Sequence, residues 1–491
     1  MALHYYHSDR VKTSNGVLNI TTMYKPTSFD SYEDSKGYIV VTHRRKGYSS
    51  GLVQTWNKFC FTGGIVEIRA RLPGKAKVGG LWPAMWLLGA LSRATYVGST
   101  DWIWPWSYNK CDRALQKQQE INACEPNPHY GLGSSTGRGA PEIDLLEAMP
   151  GDETLNYGLQ KPYFSASYQV APGKLHDRPV EGKLPYRGQW YSKGLKFGAN
   201  TTLNAFFYGT TLKHPKKGQT YIADAISANR HLHETHFDDF HTWRLEWSTK
   251  EGQQSIRWYL DNEFIFQVLP ETLDMTGANM PDEPMHILLN TAVSSTWGFP
   301  APCPAGCTCE CFDCGNPKCA CGMPQGMCAN LPAYYEIDYV RVYQDMEDNS
   351  HKIGCSTDSK PTKRFIQGHL DRYYDYFNNE RQPLKPLQHG GGSCSHHSDC
   401  FNNYGTQSLF SDSKCIKNKC VCGKETTGPH CAAFKAYDDQ NWDVPYDLSL
   451  HSPFLPSSLL RVLIALIAVA IALVTVRLLS QQAARKAAAL V

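Results

Sequence analysis

The stretch PEIDLLEAMPG, residues 141–151, sets three carboxyl groups among large aliphatic side chains. Glu142 and Asp144 are two residues apart, so on an extended strand they share a face. Glu147 is five on from Glu142 and by strict alternation points the other way. One extra residue in a β-bulge, for instance at Leu145–Leu146, returns it to the face of the other two. Two carboxyls gathered in this way suit glycosidic-bond chemistry with retention. One attacks the sugar and the other gives and takes a proton, across a gap of ~5–5.5 Å. Asp144, between them, would hydrogen-bond one partner. Its charge would raise the pKa of whichever acid must hold a proton. A solvated acidic strand is the other reading of the same residues. Nothing in this chemistry requires a cofactor or a metal ion.

Such a site needs strands to hold it. Alternating polar and apolar residues run through GYIVVTHRR, GGIVEIRARLPG, TWRLEWS, SIRWYLDNEFIFQVL and YYEIDYVRVYQ. Turn residues separate them at Ser14-Asn15-Gly16, Leu72-Pro73-Gly74, Asp261-Asn262 and Thr276-Gly277. No helical segment of comparable strength intervenes before about residue 345. This pattern predicts a mostly β protein, a sandwich with one large curved sheet. At 491 residues the chain can bury a large core. A formal charge of +3, with no basic run interleaved with aromatics, argues against a nucleic-acid partner. Aromatic residues make up 12% of the chain, enough for a β core or for surfaces on which sugars stack.

Eighteen cysteines point to an oxidising compartment. The sequons at Asn19 and Asn200 agree with it. Eight of the cysteines crowd into 303–328, which reads as an inserted loop stapled by disulfides; its Cys-x-Cys and Cys-x-x-Cys spacings also suit a metal. Residues 346–390 are polar, with a helical patch around 362–378. A second group, Cys394, Cys400, Cys415, Cys420, Cys422 and Cys431, ends in CVCGKETTGPHC. Residues 433–456 read as a stalk.

Residues 459–479 are nearly all apolar, with arginines near both ends and a basic tail at Arg485 and Lys486. This predicts a single transmembrane helix over 457–479 and a cytoplasmic tail over 480–491. A glycolipid-anchor signal or a buried core helix are the alternatives. The opening residues MALHYYHSDR have no apolar centre, so they are not a signal peptide. Cysteines on the lumenal or extracellular side then imply that a leader or anchor, and a first strand, once preceded Met1. The expected location is the secretory pathway, at the plasma membrane or the ER–Golgi membranes.

Longer strings carry a resemblance. GGIVEIRARLPG, then GGLWPAMWLLG, FHTWRLEWS, SIRWYLDNEFIF, MHILLNTAV with Trp297, and YYEIDYVRVYQ follow the order of glycoside hydrolase family 16, the β-jelly-roll glucanases and transglycosylases. TWNKFCFTGG, GRGAPEIDLLEA, SASYQVAPG, HLHETHFDDFHTWRLEW and IGCSTDSKPTKRFIQGHLDRYYDYF resemble the fungal β-1,6-glucan synthesis-associated branch. The resemblance implies a concanavalin-like jelly roll over 1–345, with Glu142 as nucleophile, Asp144 assisting and Glu147 as acid/base. It implies β-glucan as the polymer bound. Trp82, Trp86, His241 and Trp297 are the candidates for sugar contact; Trp243 and Asn290 sit in similar strings, and a structural role is open for all of them.

The last six cysteines resemble an epidermal-growth-factor-like module over 391–432. That likeness implies the pairs Cys394–Cys415, Cys400–Cys420 and Cys422–Cys431, and a contact with a protein partner. The basic tail and the growth-factor-like module depart from fungal members with an N-terminal anchor. Two functions follow: a membrane-anchored retaining glucosidase or transglycosidase in β-glucan biosynthesis or wall remodelling, or a non-catalytic glucan-binding factor.

Overall fold

The computed structural model describes residues 2–434, apart from 36–37, 96, 128–131, 155–158, 174–192, 205–209, 214–219, 275, 370–371, 374–388, 401–411, 425 and 432. The expected transmembrane segment at 457–479 lies outside the described residues. Among those described, no helix is long and apolar enough to cross a membrane.

The protein is a mostly β jelly-roll sandwich. One sheet runs, strand by neighbouring strand, His4–Tyr6, Tyr38–Ser50, Val17–Ser35, Ala333–Tyr343, Gly64–Arg71, His241–Ser248, Ser255–Leu260, Glu263–Val268 and Lys196–Phe197. The other runs Thr201–Leu203, Thr220–His231, Tyr163–Val170, Glu142–Met149, Trp82–Gly89, Met285–Ala292, Cys60–Thr62 and Lys352–Ile353. The strand bearing the three acids is thus central in its sheet, paired on both sides.

Alternation places the core. In Gly64–Arg71 every second residue is buried, and Val66, Ile68 and Ala70 face inward. Trp243, Leu245 and Trp247 do the same from His241–Ser248. Ile143, Leu145, Leu146 and Ala148 meet them from the acid strand. That strand is buried along nearly its whole length, because its second face is covered too.

All eighteen cysteines are paired. The 303–328 insertion carries four bridges: Cys303–Cys309, Cys307–Cys321, Cys311–Cys319 and Cys314–Cys328. The C-terminal group is joined as Cys394–Cys415, Cys400–Cys420 and Cys422–Cys431, around the hairpin of Lys414–Ile416 and Lys419–Val421. The expected helical patch begins at Thr362 but runs only to Gly368.

The segment between Trp82–Gly89 and the acid strand leaves the sheet in a long excursion. It is latched by a buried ion pair. Arg138 gives Nε and an Nη to Glu283, and Nη2 also reaches Thr362 Oγ1 at 2.9 Å. Residues 355–373 close over the same segment. Cys355 bridges to Cys60, Tyr373 donates its hydroxyl to Leu91 O at 2.6 Å, and Arg372 Nη2 donates to Asp101 O at 2.6 Å. The described part of the polar stretch, as far as Tyr373, is therefore an integral part of the fold.

Candidate active site

The β-bulge decides the site. Ser165 pairs with Glu147 and Ser167 with Asp144, so two residues of the acid strand, Leu145 and Leu146, oppose one of its neighbour, Ala166. On the other side Met85 faces Leu146 and Trp86 faces Asp144, which leaves Leu145 as the extra residue. Beyond it Glu147 returns to the face of Glu142 and Asp144. The strained ladder is repaired from the opposite sheet: Trp258 donates its indole N–H across the core to Asp144 O at 2.8 Å.

Different donors hold each carboxyl. Glu142 receives the indole N–H of Trp104 at 2.7 Å and the amide of Gln169 at 2.9 Å. The same amide nitrogen reaches Asp144 at 2.8 Å. Glu147 receives Trp82 Nε1 at 3.2 Å. Glu142 and Glu147 keep 9% and 8% of their surface, whereas Asp144 keeps 1%, so only the outer two can meet a ligand.

Burial pushes all three carboxyls up. For Glu142 the value reaches about 8, with the charge of Glu147 as the second cause; hydrogen bonds from Asp144 and Trp104 hold it down. Asp144 and Glu147 are raised well above their ordinary values, first by burial and then by a neighbouring carboxylate, Glu142 for the former and Asp144 for the latter. The hydrogen bond between Asp144 and Glu142 raises the former and lowers the latter. Three interacting acids share few charges, and the one with most N–H donors ionises first. That acid is Glu142. Glu147 has one such donor, the indole N–H of Trp82.

Aromatic residues line the same region. Trp82 stacks on Trp297, with ring centroids 4.3 Å apart and planes at 9°. Trp86 donates to Asn290 Oδ1 at 2.8 Å, and Asn290 donates to Tyr6 Oη at 3.1 Å.

The family model for beta-glucan synthesis-associated protein SKN1/KRE6/Sbg1 matches residues 1–302. The chain belongs to this family. The family match covers the acid strand, both its neighbours and the donors around it. A member from Saccharomyces cerevisiae, beta-glucan synthesis-associated protein SKN1, is 28% identical over 399 residues, covering 76% of this chain and 42% of that protein. The chain thus spans under half the length of that SKN1/KRE6 relative. A glucan endo-1,3-beta-glucosidase A1 from Niallia circulans is 24% identical over 348 residues, covering 70% of this chain and 32% of that protein. The laminarinase catalytic domain from Thermotoga maritima, 22% identical, aligns over 70% of this chain and 84% of that domain with a TM-score of 0.37.

Two further candidates for sugar contact, one on each sheet's side, have structural partners in this SKN1/KRE6/Sbg1 member. His241 lies on the sheet facing the acid sheet, hydrogen-bonded through Nδ1 to Asp261 and stacked on His236. The strand that carries it packs into the core through Trp243, so its neighbours are structural. Trp297 is near the acids but only 4% exposed, and it spends its N–H on Ala148 O at 3.0 Å. It backs Trp82 and offers no free face. Asn200 sits in an exposed turn at φ 54°, whereas Asn19 is half-buried within strand Val17–Ser35 and hydrogen-bonded by Thr21 Oγ1.

The sequence reading missed Trp104, Gln169 and Trp258. Gln169 left a signal: Ser165, Ser167 and Gln169 alternate as polar residues in an otherwise apolar strand, and each opposes one acid. Trp104 left none, since WIWPW has no periodicity.

Proposed function

We propose that this chain is a retaining β-glucan-active glycosidase or transglycosidase that assembles or remodels β-glucan. The observation that carries the reading is the single face shared by Glu142, Asp144 and Glu147, with Glu142 holding two N–H donors and Glu147 one. Glu142 attacks the anomeric carbon while Glu147 protonates the departing glycosidic oxygen, giving a glycosyl ester on Glu142. Glu147, now ionised, takes the proton of an acceptor hydroxyl as that oxygen displaces Glu142. Water as acceptor gives hydrolysis; a sugar hydroxyl gives transfer. The family's association with glucan synthesis favours transfer. The apolar segment at 457–479 would anchor the chain, with the acids on the lumenal or extracellular side and the 391–432 module free to contact a protein.

The competing reading is a glucan-binding accessory factor, and the family's description as synthesis-associated is what favours it. Incubating the purified chain with β-1,3- and β-1,6-linked glucans, with and without an oligosaccharide acceptor, separates the two. New products from the unmutated chain, absent with Glu142→Gln and Glu147→Gln, support catalysis. Equal glucan binding by all three chains with no product from any supports the accessory factor.

A further inference from the structure

A histidine cluster lies apart from the acids, where the chain crosses from the acid sheet to the facing one. Residues 231–241, HLHETHFDDFH, leave strand Thr220–His231, make the one-turn helix Thr235–Asp238 and enter strand His241–Ser248. His236 is buried, and its ring stacks on that of His241 with centroids 4.1 Å apart and planes at 21°. Its Nδ1 lies 3.2 Å from His233 O, and in the tautomer whose Nδ1–H donates there Nε2 is left as its donor atom. Asp261, in the turn between strands Ser255–Leu260 and Glu263–Val268, is held by the Thr242 N–H on one oxygen and meets His241 Nδ1 with the other. The remaining nitrogen of His241, Nε2, is buried without a partner.

A buried ring nitrogen without a partner carries a desolvation cost. A cation at Nε2 would give His241 the second partner the protein lacks, while Asp261 orients the ring from Nδ1. One ligand atom from each of His236, His241 and Asp261 already lies within 4.8 Å of the others. Two imidazoles, one of them oriented by a carboxylate, suit a borderline-soft divalent cation, with water completing the shell. The three residues come from a connection, a strand start and a hairpin turn, so one ion would clasp three segments.

We propose that His236, His241 and Asp261 form a structural site for one divalent cation of the zinc class. The site is separate from the glucan chemistry, and its test does not depend on activity. The full chain, stripped with a chelator and free of any affinity tag, is titrated with Zn2+ by calorimetry and with Co2+ by visible absorption. The expected result is one tight equivalent, a Co2+ spectrum with imidazole nitrogen ligation, and a Tm raised by Zn2+. His236→Gln and Asp261→Asn should each weaken binding at least tenfold and abolish the Tm rise. Absence of a stoichiometric site, or equal affinity in folded His236→Gln and Asp261→Asn, overturns the proposal. Should His236→Gln fail to fold, Asp261→Asn and the Co2+ spectrum of the unmutated chain decide it in the same way.

Discussion

Three carboxyls in one buried site cannot all carry charge, and the donors around them settle which one does. Glu142 has Trp104 and Gln169; Glu147 has Trp82 alone. Activity needs Glu142 ionised and Glu147 protonated, so the rate should rise with pH through the titration of Glu142. Trp104→Phe removes a charge-assisted hydrogen bond of about 1.5–3 kcal/mol, which moves the acidic limb up by about one unit or more. A pH profile of kcat/KM checks this; an unmoved acidic limb counts against the assignment. The same burial costs stability. The folded value of Glu142 lies above its ordinary 4.5, so its contribution is fully present below pH 4.5 and is lost as pH rises toward about 8. Glu142→Gln cannot ionise and should be the more stable chain at neutral pH, by an amount growing at ~1.4 kcal/mol per pH unit across that window. Thermal melts at pH 5 and pH 8 read the difference, and an equal Tm for both chains at pH 8 would contradict it. The acids were legible in sequence because a carboxyl triplet among aliphatics is conspicuous. Trp104 was not, since its contact with Glu142 is made 38 residues away by a loop without periodicity.

At the scale of the element, the account rests on one extra residue. Leu145 gives the acid strand its bulge, and an unbulged strand of the same sequence would turn Glu147 toward the core. Inserting one alanine between Leu146 and Glu147 reverses the facing of Glu147 in the same way and should abolish product formation in a chain that still folds by circular dichroism; retained activity would show that the shared face is not needed. The bulge could be inferred from the sequence because Glu142 and Glu147 have the wrong parity for one face. Its repair by Trp258 could not, because that bond joins strands 114 residues apart. The latch on the excursion is a second element-scale feature. Removing one partner, as in Glu283→Leu, strands a buried guanidinium and should cost about 3–5 kcal/mol, whereas Arg138→Met with Glu283→Leu should recover most of that loss. Denaturant midpoints of the single and double variants measure it, and a double variant as unstable as the single would contradict the pairing.

At the scale of the whole molecule, two sheets and their covering segments are needed to hold the three acids together. The strands were legible from alternation of period two, because each buries one face. The excursion after Trp82–Gly89 was not, because it packs through tryptophans and an ion pair without a repeating pattern. Cys60–Cys355 ties the segment that covers it to the edge of the acid sheet across 295 residues. Replacing both cysteines by alanine should cost about 2–5 kcal/mol, read as a fall in Tm. A Tm unchanged by the substitution would mean that the segment is held by its polar contacts alone. The most direct test of the central claim is to trap the glycosyl ester. The chain is incubated with a slow 2-fluoro-β-glucosyl donor, digested, and mapped by mass spectrometry. The account predicts one added sugar on Glu142, absent from Glu142→Gln. A sugar on another carboxyl, or turnover of the ordinary donor with inversion and no adduct, would contradict it.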